Sequence, residues 1–168
     1  GRTTRGKPIV NLINVTPDTT VRAIVPVKEF TENEYLMFCT RQGTVKKTAL
    51  SEYSNVRSTG IKGIKLEEGD ELIDVQITSG TNDVVLVTKH GLSIRFHEQE
   101  ARAMGRDTTG VKGVALGDGD KVVGMVVVKR DASLLVVTEL ALGKLTSIEE
   151  YRVQGRGGKG ILTVKRTE

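Results

Sequence analysis

Ser58-Thr59-Gly60-Ile61-Lys62-Gly63-Ile64 and Thr108-Thr109-Gly110-Val111-Lys112-Gly113-Val114 are two copies of one polar-Gly-apolar-Lys-Gly-apolar phrase, and their recurrence decides the fold. A third copy is Gln154-Gly155-Arg156-Gly157-Gly158-Lys159-Gly160-Ile161, and a fourth opens the chain as Thr3-Thr4-Arg5-Gly6-Lys7-Pro8-Ile9. Aligned on Lys7, Lys62, Lys112 and Lys159, the copies are 55, 50 and 47 residues apart. A fixed period of this size marks an array of like structural units.

A second signature keeps the same beat. Acidic turns follow two of the glycine segments, at Glu67-Glu68-Gly69-Asp70 and Gly117-Asp118-Gly119-Asp120. Apolar runs begin at Val21, Leu72 and Val122. Then come strand-turn-strand phrases whose threonines, Thr40, Thr88 and Thr138, lie 48 and 50 residues apart. The runs are short, rich in Val, Ile and Leu, and bounded by Gly, Asp, Asn and Thr, which is the strand-and-hairpin pattern. Single helical turns fit only at 48–53, 96–101 and 146–151, each of which carries acids early. Tyr53, Ala101 and Tyr151 fall at equivalent points and read as packing residues.

Four strands per roughly fifty residues, repeated, is what a radial array of blades requires. The expectation is an all-β, propeller-like array of four-stranded blades, present as a partial set. Approximate blades are 1–55, 56–104 and 105–153, with the start of another at 154–168. The competing fold is an ordinary β-sandwich with accidental glycine similarity.

The 168 residues include 19 glycines, three prolines and no tryptophan, a balance that fits turn-rich β structure better than a helical bundle. The one cysteine, Cys39, sits in the apolar run Leu36-Met37-Phe38-Cys39 and suggests a buried thiol in a reducing compartment. No apolar run approaches the ~20 residues of a membrane span, and no signal peptide heads the chain. The chain opens at Gly1 in a polar stretch that recurs later, so it reads as a piece of a longer one.

Net charge is +4, from 25 Lys and Arg against 21 Asp and Glu, so the distribution of charge matters more than its sum. The glycine segments carry Arg2, Arg5 and Lys7; Arg57, Lys62 and Lys65; Arg102, Arg106 and Lys112; and Arg152, Arg156 and Lys159. A second set, expected at the hairpin tips, comprises Arg41, Lys46 and Lys47; Lys89, His90 and Arg95; and Lys144. Acids concentrate in the turns and in short segments at 98–100 and 149–150. In a radial array, each repeating element falls on one edge, so its cations form a positive stripe.

Such a stripe suits duplex DNA. Affinity should fall with log salt by about 0.9 per neutralised phosphate. Glycine beside lysine lets backbone N–H groups share the phosphate contact. Bending a short site costs about 1–6 kcal/mol, which several basic repeats acting together can offset. Aromatics are 4% of the chain, too few for single-strand stacking platforms. No recognition-helix pattern points to base readout.

Other chemistries fit poorly. In the third glycine segment Lys159 is followed by Gly160 and position 153 is Val, which breaks the nucleotide-loop pattern. His90 and His97 lack partners at ligand spacing and read as loop residues, so no metal site is assigned. Tyr35, Tyr53 and Tyr151 have no base or metal cluster that would make one a nucleophile. From another class, a propeller-like protein-interaction scaffold without DNA remains the alternative.

The repeat resembles that of the C-terminal domain of the DNA gyrase A subunit, a β-pinwheel whose rim wraps DNA. The likeness rests on Gly1-Arg2-Thr3-Thr4-Arg5-Gly6-Lys7-Pro8-Ile9-Val10-Asn11-Leu12, on Gly43-Thr44-Val45-Lys46-Lys47-Thr48 and on the stretch from Glu150 to Gly160. The family's hallmark heptad is Gln-Arg-Arg-Gly-Gly-Lys/Arg-Gly. Here Gln154-Gly155-Arg156-Gly157-Gly158-Lys159-Gly160 departs from it at Gly155 and looks like a degenerate later copy. The topoisomerase IV A subunit has a similar domain.

The resemblance implies a piece that binds, bends and wraps double-stranded DNA for a supercoiling enzyme. That enzyme is an ATP-dependent type II topoisomerase whose active sites lie elsewhere, so this piece is itself no enzyme. The implied partners are DNA and the remainder of the gyrase A subunit, together with the B subunit, in an A2B2 holoenzyme, without a membrane. No cofactor is expected in this piece; ATP and magnesium would be used through other domains. The implied location is bacterial cytoplasm, with the nucleoid. The DNA-contacting residues are then Arg2, Arg5, Lys7, Arg41, Lys46, Lys47, Arg57, Lys62, Lys89, Arg95, Arg106, Lys112, Lys144, Arg152, Arg156 and Lys159.

Overall fold

The computed structural model describes Gly6 and residues 19–57, 59–129 and 131–164. Arg2, Arg5 and Lys7 lie outside the described residues.

Ten strands form. They are β1 (Tyr35–Thr40), β2 (Thr44–Ala49), β3 (Leu72–Thr78), β4 (Asp83–Thr88), β5 (Leu92–His97), β6 (Val111–Lys112), β7 (Val122–Val128), β8 (Ser133–Val137), β9 (Gly143–Ser147) and β10 (Ile161–Leu162). One sheet has the order β3-β1-β2-β6, a second β10-β5-β4-β7, and a third consists of β8-β9. The fold is all-β, as the repeat implies. Each four-stranded sheet joins a hairpin to a long strand from the following stretch of chain and a two-residue strand from further on. Successive units are therefore interlocked through their sheets.

Single 3-10 turns occur at Leu50–Tyr53, Glu98–Glu100 and Ile148–Glu150, inside the three windows read from the sequence. The expected strand at 21–25 does not form. Its counterparts β3 and β7 each pair with the first strand of the hairpin before them, β1 and β4, and among the described residues no hairpin precedes Val21. Val25 instead packs on Leu36, Phe38 and Leu50.

The hairpin threonines close the tips. Thr40 Oγ1 accepts from Thr44 N–H at 3.1 Å, Thr88 Oγ1 from Leu92 N–H at 3.3 Å, and Thr138 Oγ1 from Leu142 N–H at 3.1 Å. The last residue of each acidic turn braces the tip beside it. Asp70 Oδ1 accepts from Gln42 N–H at 2.9 Å and Glu71 N–H at 2.8 Å. Asp120 Oδ1 does the same for His90 at 2.9 Å and Lys121 at 2.8 Å. A cluster of Met37, Cys39, Val45, Leu86, Ile94, Phe96, Val114 and Met125 fills the space between the two large sheets. Each such side chain contributes roughly 1.5–3 kcal/mol on burial. Cys39 is buried, which pushes its thiol up to about 12.

Candidate nucleic-acid interface

One edge of each large sheet, β6 in the first and β10 in the second, belongs to a glycine segment. Thr44 pairs with Lys112 and Val45 with Val111; in the second sheet Ser93 pairs with Ile161 and Leu92 with Leu162. On the opposite side of the sheets β3 meets β7, where Gln76 Nε2 donates to the Met125 carbonyl at 2.8 Å. The glycine segments thus form the rim.

Gly110 shows why glycine is needed there. Its φ is +110°, and a Cβ would stand 2.5 Å from the Val45 carbonyl oxygen, so only glycine fits against β2.

The backbone corrects the alignment of the third segment. Gly113 N–H and Val114 N–H both donate to Gly43 O, at 2.7 and 3.3 Å, while Thr163 N–H and Val164 N–H do so to Gly91 O, at 2.8 and 3.3 Å. Gly60, Gly110 and Gly160, all at positive φ, are therefore the matching glycines. Leu162 occupies the position of Lys112, and Lys159 stands at that of Thr109. The shorter interval before Lys159 was the available signal for this shift.

Consecutive segments lie edge to edge. Lys65 N–H donates to Thr108 O at 3.0 Å, and the equivalent Ala115 N–H donates to Gly158 O at 2.9 Å. This joins the stretch around Lys62 to that of Arg106 and Lys112, and the latter to that of Arg156 and Lys159. Arg57, Lys62, Lys89, Lys112, Lys144, Arg152 and Lys159 are exposed, and Arg106 is half-buried. The ridge is not purely basic, because Lys62 pairs with Asp107 at 3.1 Å.

Arg156, in the degenerate heptad, ties two segments together. Its Nη1 donates to Lys112 O at 2.5 Å, its Nε to Glu100 O at 3.3 Å, and its backbone N–H to Glu100 Oε2 at 2.7 Å. Within the same heptad Gln154 N–H donates to Arg95 O at 2.7 Å and Gly157 N–H to Gly113 O at 2.8 Å. The heptad is therefore a seam between neighbouring segments.

Four cations expected at hairpin tips are strand residues instead. Lys46 and Lys47 lie in β2, Arg95 in β5 and Lys144 in β9. Lys46 is 0% and Lys47 5% exposed, so neither side chain is placed to reach a phosphate. Lys47 Nζ pairs with the buried Glu98. Arg95 pairs with Asp83 at 2.6 Å and donates to the Ile148 and Tyr151 carbonyls at 2.7 and 3.2 Å. Lys144 is exposed and donates to Thr163 O at 3.2 Å. Arg41 is at a tip, yet Glu71 engages it at 2.7 Å. The sequence also missed Glu98. It reads as one acid in a charged segment, whereas its side chain is sealed between elements.

A family described as DNA gyrase C-terminal domain, beta-propeller, matches residues 34–79, 82–129 and 132–167. The DNA gyrase A subunit of Halalkalibacterium halodurans is 48% identical over 106 residues, which is 63% of this chain and 13% of that protein. The DNA gyrase A subunit of Salmonella typhimurium is 48% identical over 105 residues, 62% of this chain and 12% of that protein. The crystal structure of the C-terminal domain of a DNA topoisomerase IV superposes with a TM-score of 0.86 at 33% identity, covering 94% of this chain and 49% of that one. A DNA gyrase A C-terminal domain superposes with a TM-score of 0.84 at 26% identity, covering 95% of this chain and 53% of that one. The chain thus spans about half of these solved domains and a small part of the full-length relatives.

Proposed function

The chain belongs to the DNA gyrase C-terminal domain family, and from that premise we propose that its rim binds and bends or wraps double-stranded DNA without reading base sequence. The observation that carries this reading is the joining of successive cation-bearing segments into one ridge, through the Lys65–Thr108 and Ala115–Gly158 hydrogen bonds. A duplex laid along the ridge meets Lys62, Arg106, Lys112 and Lys159 in turn. Each neutralised phosphate releases counterions, which gives affinity with a steep salt dependence. Cations on a turning edge favour bent over straight DNA, and the added contacts offset the bending cost.

In this reading the chain is a non-catalytic part of a DNA gyrase and serves its supercoiling reaction. Cleavage, ATP binding and magnesium binding belong to other domains. Its partners are the remainder of the gyrase A subunit, together with the B subunit, in an A2B2 assembly, in the bacterial cytoplasm beside the nucleoid. The proposed contacts are the exposed cations of the ridge, with Lys89 and Lys144 at its margin. The same role in a topoisomerase IV is the second reading, supported by the 33% identity to that enzyme's solved domain.

The test is ligation of nicked circular DNA in the presence of the chain, followed by measurement of linking number. A shift that grows with protein supports wrapping. Absence of duplex binding even at low salt removes the DNA reading and leaves the interaction-scaffold alternative. Binding without a shift removes wrapping by this piece.

A further inference from the structure

Lys46 has no exposed surface, yet among the described residues no carboxylate stands within ion-pair distance of its ammonium, which is held by carbonyl oxygens. Its Nζ donates to Gly63 O at 2.5 Å and to Arg106 O at 2.6 Å, and lies 5.3 Å from the centre of the Phe38 ring. The two carbonyls belong to different glycine segments, the one bearing Lys62 and the one bearing Arg106 and Lys112. Tyr53 Oη also donates to Gly63 O, at 3.1 Å. We infer that Lys46 is a positioning residue for duplex binding: from beneath the ridge it fixes the distance and direction between two neighbouring cation-bearing stretches.

The second seam shows what Lys46 replaces. There Ile94 holds the position of Lys46, and Gly157 holds that of Asp107. Gly157 N–H donates directly to Gly113 O at 2.8 Å, the counterpart of Gly63 O. Gly157 does so at a φ of +82°, a conformation natural to glycine. Asp107 does not adopt it, since among the described residues Ala141 is the one non-glycine at positive φ. In the first seam a buried ammonium therefore does the joining that a backbone N–H does in the second. This arrangement also leaves room for Asp107, which pairs with Lys62 on the ridge. An ammonium suits the task because it offers three donors and can span two carbonyls at once.

The inference rests on the DNA reading above, and its test separates the two. Duplex binding is measured across a salt series for the parent chain, Lys46→Ile, Asp107→Gly, the double variant and Lys62→Gln. Lys46→Ile is expected to weaken binding roughly tenfold with an unchanged salt slope, because Lys46 touches no phosphate. Lys62→Gln is expected to lower the slope by about 0.9. In the Asp107→Gly background, the loss from Lys46→Ile should shrink to less than about threefold, since glycine at 107 can restore the backbone bond. Amide exchange at Lys65, read without DNA, should quicken in Lys46→Ile and recover in the double variant. The inference is overturned by undiminished binding of Lys46→Ile, by a slope that drops by about one, by equal losses in both backgrounds, or by unchanged exchange. A parent chain that binds no duplex overturns the proposed function and this role with it, whereas failure confined to the Lys46 variants overturns this role alone.

Discussion

Lys47 Nζ lies 2.9 Å from Glu98 Oε2, with both side chains sealed from solvent, and the pair fastens the first hairpin to the turn that follows the second. Thr78 Oγ1 also donates to Glu98 Oε2, at 2.7 Å, and Asn82 N–H donates to Oε1 at 2.7 Å. The Lys47 ammonium stands 4.3 Å from the centre of the Tyr35 ring. In the next unit Arg95 performs the same fastening on the Ile148 and Tyr151 carbonyls. Two of the cations that a sequence reading gives to DNA thus hold the array together.

Burial opposes ionisation of Glu98, but hydrogen bonds from Thr78, Lys47 and Asn82 and the Lys47 charge hold its carboxyl below the ordinary value. A depressed carboxyl stabilises the fold above its unfolded pKa, and that contribution is lost as pH falls through the folded value. Stability of the parent should therefore drop below about pH 4. Glu98→Gln should remove part of that acid dependence while costing roughly 3 kcal/mol at neutral pH, because it leaves Lys47 buried without a counter-charge. Urea unfolding against pH checks both effects.

Lys46 titrates in the other direction. Burial is the main cause that lowers its pKa to about 8; Asp107 and Glu52 oppose the shift and Arg106 adds to it. Tyr53, whose hydroxyl shares the Gly63 carbonyl, is itself pushed up by burial. Between about 8 and the ordinary lysine value the unfolded chain holds the extra proton, so the Lys46 contribution to stability rises with pH. The parent should gain on Lys46→Ile in stability as pH rises across that window. Parallel stability curves for the two proteins would contradict the burial of an ionised Lys46.

Ala141 occupies the hairpin position held by Gly43 and Gly91, at a φ of +61°. An L residue in the left-handed region costs roughly 1–2 kcal/mol, part of which glycine gives back through greater freedom in the unfolded chain. Ala141→Gly is expected to stabilise the β8–β9 hairpin by about 0.5–1 kcal/mol. Slower amide exchange at Leu142 N–H, which bonds Thr138 Oγ1, is the readout.

The hairpins and the short turns were legible because their residues repeat: Thr40, Thr88 and Thr138 close tips, and Asp70 and Asp120 brace them. The rim position of the glycine segments was also legible, through their glycines and shared charge. Burial of Lys46 and Lys47 was not. Adjacent strand residues point to opposite faces, so a Lys-Lys pair ordinarily puts at least one charge in solvent. Here β2 is covered on both faces, by the Phe38 and Tyr53 side and by the second sheet, and specific acceptors wait on each. Acceptors such as the Gly63 carbonyl come from distant backbone and leave no trace in residue type. The pairing of Lys62 with Asp107, which tempers the ridge, was hidden for a related reason: the two are brought together only when successive segments dock.

The central claim is that the rim ridge is a track for duplex DNA, and its most direct test is the salt dependence of binding for the parent and for Lys62→Gln/Lys112→Gln/Lys159→Gln. All three side chains are exposed, so the fold should survive their replacement. The expected result is weaker binding by the triple variant, with a salt slope lower by up to about 2.7, or about 0.9 for each phosphate contact removed. A triple variant that binds duplex as tightly as the parent, with the same slope, would contradict the account.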